Sequence, residues 1–397
     1  MFYIYLVIVA CFIFIYSLLA GKVDKLPISG PIIALLIGLA IGPLFLDVLD
    51  FSLNSEVFKV MAELALALVL FTDASKTNLR EFEHNIGLPS RLLLIGLPLT
   101  IIAGAVVGYS IFQDFTWIEL GILATILAPT DAALGKPVVN SPIVPSKIKE
   151  ALNIESGLND GISVPILLLF IAFFDISADK ISFQYALGLF AEQIGIGAAA
   201  GLGFTFIADY LIRYSQQKNW ITESWKPIIM IALIISCFAV AQSLGGSGFI
   251  ATFSGGLLFG KIHKANKAEL VSAAEGMGDT ISLITWLFFG AFVINLIISH
   301  LTLEIVFYSL LSLTLIRMVP VFLSLINSGE IIKQKLFIGW FGPRGLASIV
   351  FLVMILDIGL PHMPALVTTI VSTIVLSIVL HGLTALPFSK LLKKEAQ

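Results

Sequence analysis

Ala128-Pro129-Thr130-Asp131 and Phe341-Gly342-Pro343-Arg344-Gly345 each set a proline and a charge inside an apolar run. A mid-helix proline removes a backbone hydrogen bond and frees a carbonyl. In lipid, freed backbone groups are tolerated only beside a cavity or buried in protein. An ionisable group at the bilayer centre costs about 2.5–3.5 kcal/mol on insertion scales. Two such breaks predict two interrupted membrane helices that cross, with carbonyls and half-helix ends gathered around one central site. Kinks that merely shape a bundle would not need the charges.

Composition supplies the membrane. Of 397 residues, 58% are apolar and only 12% charged, and the mean hydropathy is +1.01. Soluble domains are nearer half apolar and a quarter charged. This balance argues against a soluble enzyme, a nucleic-acid binder and a disordered scaffold. Cys11 and Cys237 both lie in apolar runs and read as lipid- or core-facing thiols, with no disulfide or redox role. A spanning helix needs about 20 mostly apolar residues. Thirteen stretches qualify, at 2–20, 28–46, 57–74, 88–111, 117–139, 150–174, 185–212, 227–244, 246–260, 280–298, 302–326, 336–356 and 364–388.

Charge placement supports that count. One alternating set of loops and ends holds nineteen of the 23 basic residues, among them Lys22, Lys25, Lys76, Arg80, Lys136, Lys147, Arg213, Lys264 and Lys394. The opposite set holds Lys59 and Lys180, and Arg317 and Arg344 fall within spans. The positive-inside bias then puts the N-terminus outside and the C-terminus in the cytoplasm. The first span has no basic segment ahead of it, which fits a retained helix better than a cleaved signal. No loop exceeds about 20 residues, so a soluble catalytic domain has no room and the chain reads as non-enzymatic. Gly255 to Lys261 matches G-x-x-x-x-G-K, but Ile262 stands where magnesium needs Ser or Thr, so no nucleotide is expected. Energy would come from an ion gradient.

Thirteen spans divide as six, one, six, and corresponding spans run in opposite directions. That is the arithmetic of inverted six-helix repeats. At an offset of seven, span 5 and span 12 both carry a break, and spans 2 and 9 are both rich in Gly or Pro.

The membrane charges are Asp131, Glu155, Asp160, Arg317 and Arg344, with Asp73 near the cytoplasmic end of span 3 and Glu192 in span 7 as less costly cases. At 1.5 Å per residue, Asp160 lies roughly 16 Å from the cytoplasmic face and Asp131 roughly 21 Å from the outer face. In Glu155-Ser156-Gly157-Leu158-Asn159-Asp160-Gly161, the spacing sets Ser156, Asn159 and Asp160 on one helix face and Glu155 on another. Gly157 and Gly161 allow a close neighbour. Hydroxyl, amide and carboxylate oxygens suit a hard cation. Arg317 and Arg344 cannot lose their charge and lie at the depth of Glu155, so Glu155 is expected to pair with one or both, leaving Asp160 for the ion. A static salt-bridge lattice is the alternative for this set. Glu192 reads as local structure.

Together, Pro129-Thr130-Asp131, Glu155-Ser156-x-x-Asn159-Asp160 and Gly342-x-Arg344-Gly345 resemble the monovalent cation/proton antiporter family, and most nearly its NhaP-like sodium/proton exchangers with an Asn-Asp pair. The likeness covers essentially the whole chain. It implies an all-α polytopic fold of the NhaA/NhaP type as a single transporter domain, 1–397. Its core would run over 87–174 and 302–388, and its scaffold and dimerisation helices over 1–86 and 185–298. It implies a homodimer in the cell membrane, with a monovalent cation (Na+ or Li+ first, K+ left open) and H+ as substrates and no cofactor or nucleic-acid partner. Carried over, the cation ligands are Thr130 (backbone), Ser156, Asp160 and Asp73, with Asp131 acting directly or through water. Asn159 would hold the helix break beside Pro129 and Pro343, and Glu155 would pair with the arginines. Asp73-Ala74-Ser75 departs from the Glu-Gly-Gly of many relatives, and Ala132 stands where many have Pro.

Desolvation disfavours the charged form of a carboxylate. Asp160 can therefore hold a proton or a cation but hardly both, and alternating access would carry whichever is bound. One exchanging carboxylate predicts electroneutral one-for-one exchange. The competing readings are a passive monovalent cation channel and an intramembrane aspartyl protease. The latter is suggested by Gly276-Met277-Gly278-Asp279 and Pro364-Ala365-Leu366, but no Tyr-Asp partner motif lies upstream.

Overall fold

A computed structural model describes residues 2–23, 26, 28–43, 46, 56–76, 87–131, 134–135, 143–177, 182–263 and 267–393. Ala132 and the basic residues Lys25, Arg80, Lys136, Lys180, Lys264 and Lys394 lie outside the described residues. Among the described residues there are helices and connections and no strand.

In chain order the helices are α1 (Phe2–Val23), α2 (Gly30–Ile41), α3 (Glu56–Lys76), α4 (Gly87–Ile111) and α5 (Trp117–Leu127). They continue with α6 (Ser146–Ser177), α7 (Phe183–Gln217), α8 (Lys226–Ser243), α9 (Gly248–Ile262) and α10 (Lys267–His300). The last are α11 (Leu303–Ser324), α12 (Ile332–Trp340), α13 (Leu346–Ile355) and α14 (Met363–Lys393). Eight of these, α1, α4, α6, α7, α8, α10, α11 and α14, are long and apolar enough to cross a membrane. Shorter apolar helices are α2, α5, α9 and α13. The chain is thus a multi-pass membrane protein. Large side chains such as Tyr3, Phe14 and Leu18 on α1 are exposed, as a lipid-facing surface requires.

The chain divides into two units. One comprises Met1–Ala62, Gly87–Ser156 and Thr280–Gln397, and the other Glu63–Ile86 and Gly157–Asp279.

In the first unit, α4 packs on α5, and α11 on α4 and α14. Pro98 has no N–H to give the carbonyl of Leu94, and a π turn over Leu92–Gly96 takes up the irregularity. α2 approaches α10 backbone to backbone: a Cβ on Gly38 would strike Leu287 O, and one on Gly290 would strike Leu35 O. Small residues permit such contact, which is how membrane helices gain packing energy when lipid removes the hydrophobic drive between them.

The second unit uses the same device. Gly197 and Gly201 on α7 admit α9, and Gly256 and Gly260 on α9 admit α3 at Phe71 O and Ser75 O. Gly255 to Lys261 therefore sits in a continuous helix, and its glycines serve packing. At the end of α9, His263 Nε2 lies 2.7 Å from Asp209 Oδ1, which also accepts from Arg213 Nε at 2.9 Å. Burial holds the His263 pKa below the ordinary imidazole range, outweighing the attraction of Asp209. Span 10 is longer than the expected 280–298. Residues 267–279 hold Ala and Glu and no Pro, so the helix extends back to Lys267, and Lys76 pairs with Glu275 on that extension.

Candidate functional site

The two breaks meet in the first unit. α5 begins with a capping box: Thr116 Oγ1 accepts from the Glu119 amide, and the Glu119 carboxylate accepts from Thr116 N–H at 2.9 Å. Glu119 is fully buried and also accepts from the His362 amide at 3.0 Å, so the start of α5 is tied to the segment that leads into α14. α5 stops at Leu127 because Pro129 cannot continue it.

Each break carries the charge that caps the other. Asp131 Oδ2 accepts from the Leu346 amide at 2.9 Å, at the N-terminus of α13. Its Oδ1 accepts from the Leu134 amide at 3.1 Å, and its own N–H donates to Pro343 O at 2.8 Å. Arg344 Nη1 donates to Ala128 O at 2.9 Å and Pro129 O at 3.3 Å, the carbonyls freed at the end of α5. Nη2 reaches Ser312 O at 3.4 Å. A carboxylate at a helix N-terminus and a cation at a C-terminus are the favourable pairings for the helix dipole. The two breaks, spaced 215 residues apart in sequence, thus need one another's charges.

Space at the crossing is set by glycine. A Cβ on Gly345 would collide with the Asp131 carboxylate, and one on Gly342 would lie 2.8 Å from Arg317 Nε and 2.9 Å from Thr130 Cγ2. Gly345→Ala should therefore cost roughly 1–3 kcal/mol as an overpacked site, read as a lower melting temperature in detergent. An unchanged melting temperature would show that the crossing has slack.

α6 brings further groups to this crossing. Ser156 Oγ donates to Thr130 O at 2.7 Å, and Glu155 Oε1 lies 2.6 Å from Arg317 Nη2, with both partners about 1% exposed. Of the two arginines, then, Arg317 meets Glu155 while Arg344 serves the carbonyls. Along α6, Asn159 and Asp160 follow Ser156 by three and four residues and are buried.

In the second unit, Asp73 on α3 packs against α6: a Cβ on Gly157 would sit 3.4 Å from Asp73 Cβ. Glu192 is exposed on α7. Asp131's contact with the Leu134 amide three residues on is a local N-cap pattern, but its cap of α13, 215 residues away, leaves no sequence signal. The carbonyl role of Arg344 leaves none either.

The family model "Sodium/hydrogen exchanger, transmembrane" matches residues 8–391. The "K(+)/H(+) antiporter NhaP" of Alkalimonas amylolytica is 25% identical over 389 residues, covering 96% of this chain and 66% of the relative. The "Na(+)/H(+) antiporter" of Schizosaccharomyces pombe is 22% identical over 347 residues, covering 82% of this chain and 73% of the relative. Against other curated relatives, such as the "K(+)/H(+) antiporter NhaP2" of Shewanella sp. strain ANA-3, the chain spans 58% of their length. The solved structure of the sodium proton antiporter MjNhaP1 from Methanocaldococcus jannaschii superposes with a TM-score of 0.79 at 21% identity, covering 98% of this chain and 99% of that one. The two proteins share a fold.

Proposed function

The chain belongs to the transmembrane sodium/hydrogen exchanger family, and from that premise we propose that it is a secondary antiporter exchanging a monovalent cation for H+. The observation that carries the proposal is the reciprocal capping of two broken helices, Asp131 on α13 and Arg344 on α5, beside the helix that bears Ser156, Asn159 and Asp160. Such a crossing sets unwound backbone, with Thr130 O in it, against α6, the kind of arrangement that holds ions in secondary transporters.

In this reading Asp160 is the group shared by cation and proton. Thr130 O and Ser156 Oγ supply neutral oxygens, and Asp73 supplies a second acid from α3. Asp131 adds its remaining lone pairs, directly or through water. Glu155 with Arg317, Asn159, Pro129, Pro343 and Arg344 hold the frame. Thirteen spans in inverted repeats belong to the same proposal. It is supported by the pairing of α2 with α10 and of α9 with α3, since spans 2 and 3 correspond to spans 9 and 10 at an offset of seven. So do a core over 87–174 and 302–388 moving against a scaffold over 1–86 and 185–298, a homodimer in the cell membrane, and the N-terminus outside.

Na+ or Li+ is the proposed cation. K+ is the second reading, because two of the relatives above carry K+/H+ names. Proteoliposomes given Na+, Li+ and K+ separately decide it: the transported ion releases trapped protons and the others do not. Flux indifferent to a pH gradient would favour a channel instead.

Exchange should be electroneutral. If one site carries one cation outward and one proton back, the two loaded states have equal charge and voltage cannot bias the cycle. A second exchanging carboxylate would make each turn carry net charge, at about 2.3 kcal/mol per elementary charge per 100 mV. Initial rates of cation-driven proton flux under an imposed membrane potential of either sign should be equal, using an ionophore for an ion first shown not to be a substrate. Acceleration by one polarity would mean that Asp131, Asp73 or Glu155 also exchanges protons.

A further inference from the structure

In an unbroken helix the amide of Arg344 would donate to the carbonyl of Trp340, four residues earlier. Here α12 ends at Trp340 and α13 begins at Leu346, and both groups turn to α14. The Arg344 N–H donates to Ser377 Oγ at 2.8 Å. Trp340 O accepts from the Gly342 amide at 2.9 Å and lies 2.8 Å from His381 Nε2. Ser377 and His381 stand one turn apart on α14, with Ser377 Oγ 3.1 Å from His381 Nδ1. Both side chains are buried. The Trp340 indole N–H also donates to Thr384 Oγ1 at 2.9 Å, which keeps α12 seated on the same stretch of α14.

We propose that Ser377 and His381 are positioning residues for ion exchange, forming a two-side-chain bridge that replaces the missing Arg344-to-Trp340 hydrogen bond and clamps the second break to α14. With the ring proton on Nε2, His381 donates to Trp340 O, and Nδ1 accepts from the Ser377 hydroxyl. Ser377 Oγ in turn accepts from the Arg344 amide, so one donor chain runs across the break. Nδ1 also lies 2.8 Å from the Ser377 carbonyl, so each neutral tautomer leaves one pair of acceptors facing, and the Nε2–H form is the one that donates to Trp340 O and spans the break.

The bridge reaches the ion site through the backbone between its ends. Pro343 O receives the Asp131 amide, and the Arg344 guanidinium holds Ala128 O and Pro129 O. Where the bridge holds the break is therefore where Asp131 and Thr130 are held. This inference rests on the antiport reading, and its test separates the two.

The test compares the full chain with Ser377→Ala, His381→Leu, His381→Gln and the double variant Ser377→Ala/His381→Leu, each reconstituted after a check that it is folded. Ser377→Ala and His381→Leu should each raise the cation concentration for half-maximal proton flux roughly tenfold, the worth of about one net buried hydrogen bond, with much less effect on maximal rate. The double variant should be no worse than the worse single, because the two side chains act in series. Gln can both donate to Trp340 O and accept from Ser377, so His381→Gln should recover most of the affinity. The same non-additivity should appear in melting temperatures, which need no transport. Additive melting shifts, wild-type affinity in folded His381→Leu, or a His381→Gln as impaired as His381→Leu would overturn the bridge. Absence of cation-dependent proton flux in the wild type would instead overturn the antiport reading, and the melting-temperature cycle would still decide the bridge.

Discussion

Asp160→Asn is expected to reduce cation-dependent proton flux to the level of empty vesicles while the protein stays folded. The substitution keeps the side-chain volume and removes the carboxylate proposed to bind cation and proton in turn. Asp160 is 9% exposed on α6, four residues past Ser156, whose hydroxyl already contacts Thr130 O. In the proposed mechanism this carboxylate takes up either a proton or a cation, and competition between the two drives the exchange. Initial rates in proteoliposomes, normalised to folded protein and compared with the wild type, give the answer. Substantial retained exchange in Asp160→Asn would move the shared site to Asp131 or Asp73. The companion substitutions Asp131→Asn and Asp73→Asn would then identify which. Asp131→Asn carries a separate expectation, since an amide caps α13 less well than a carboxylate. Its loss of flux should come with a loss of stability, whereas that of Asp160→Asn should not.

Much of the frame was legible because membrane helices write themselves in composition. The break at Pro129 could be read from proline and charge together, and so could the break at Pro343. What could not be read was which partner each charge meets. Rise per residue puts Arg317 and Arg344 at similar depth, so depth alone left Glu155 with two candidates. The choice turns on how α11 is rotated about its axis and where the break between α12 and α13 sets Arg344, and no linear spacing encodes that. Arg344 has five donors and needs no carboxylate if carbonyls are free. Those carbonyls lie on a span more than two hundred residues away. Gly255 to Gly260 looked like a phosphate motif because glycine is used alike for tight turns and for close helix packing, and here the second use applies. His381, a lone histidine in an apolar helix, gave no signal until the gap between Trp340 and Arg344 was seen beside it.

Arg317→Ala is the substitution expected to damage folding most, and Glu155→Gln in the same chain should repair much of the damage. The pair is held by one contact, Arg317 Nη2 to Glu155 Oε1 at 2.6 Å, with both side chains about 1% exposed. Among the described residues, Glu155 Oε2 and Arg317 Nε and Nη1 make no hydrogen bond. The desolvation of two ions is therefore offset by little beyond their mutual attraction. Removing the arginine leaves a buried acid without its contacting cation, a loss of roughly 3–5 kcal/mol for a broken buried pair. Neutralising Glu155 removes that stranded charge and leaves only the cavity where the guanidinium lay. Replacing both partners with apolar side chains of similar size, Glu155→Leu with Arg317→Met, should do better still, since such swaps of buried pairs are often neutral or stabilising. The order expected in melting temperature is wild type and the Leu/Met pair highest, then the Gln/Ala pair, then Arg317→Ala alone. Transport sharpens the result. If the ion pair is only structural, the Leu/Met protein should exchange cations for protons with the wild-type dependence on voltage. If that protein is stable but inactive, Glu155 carries protons in the cycle, and the assignment of Asp160 as the one working carboxylate fails.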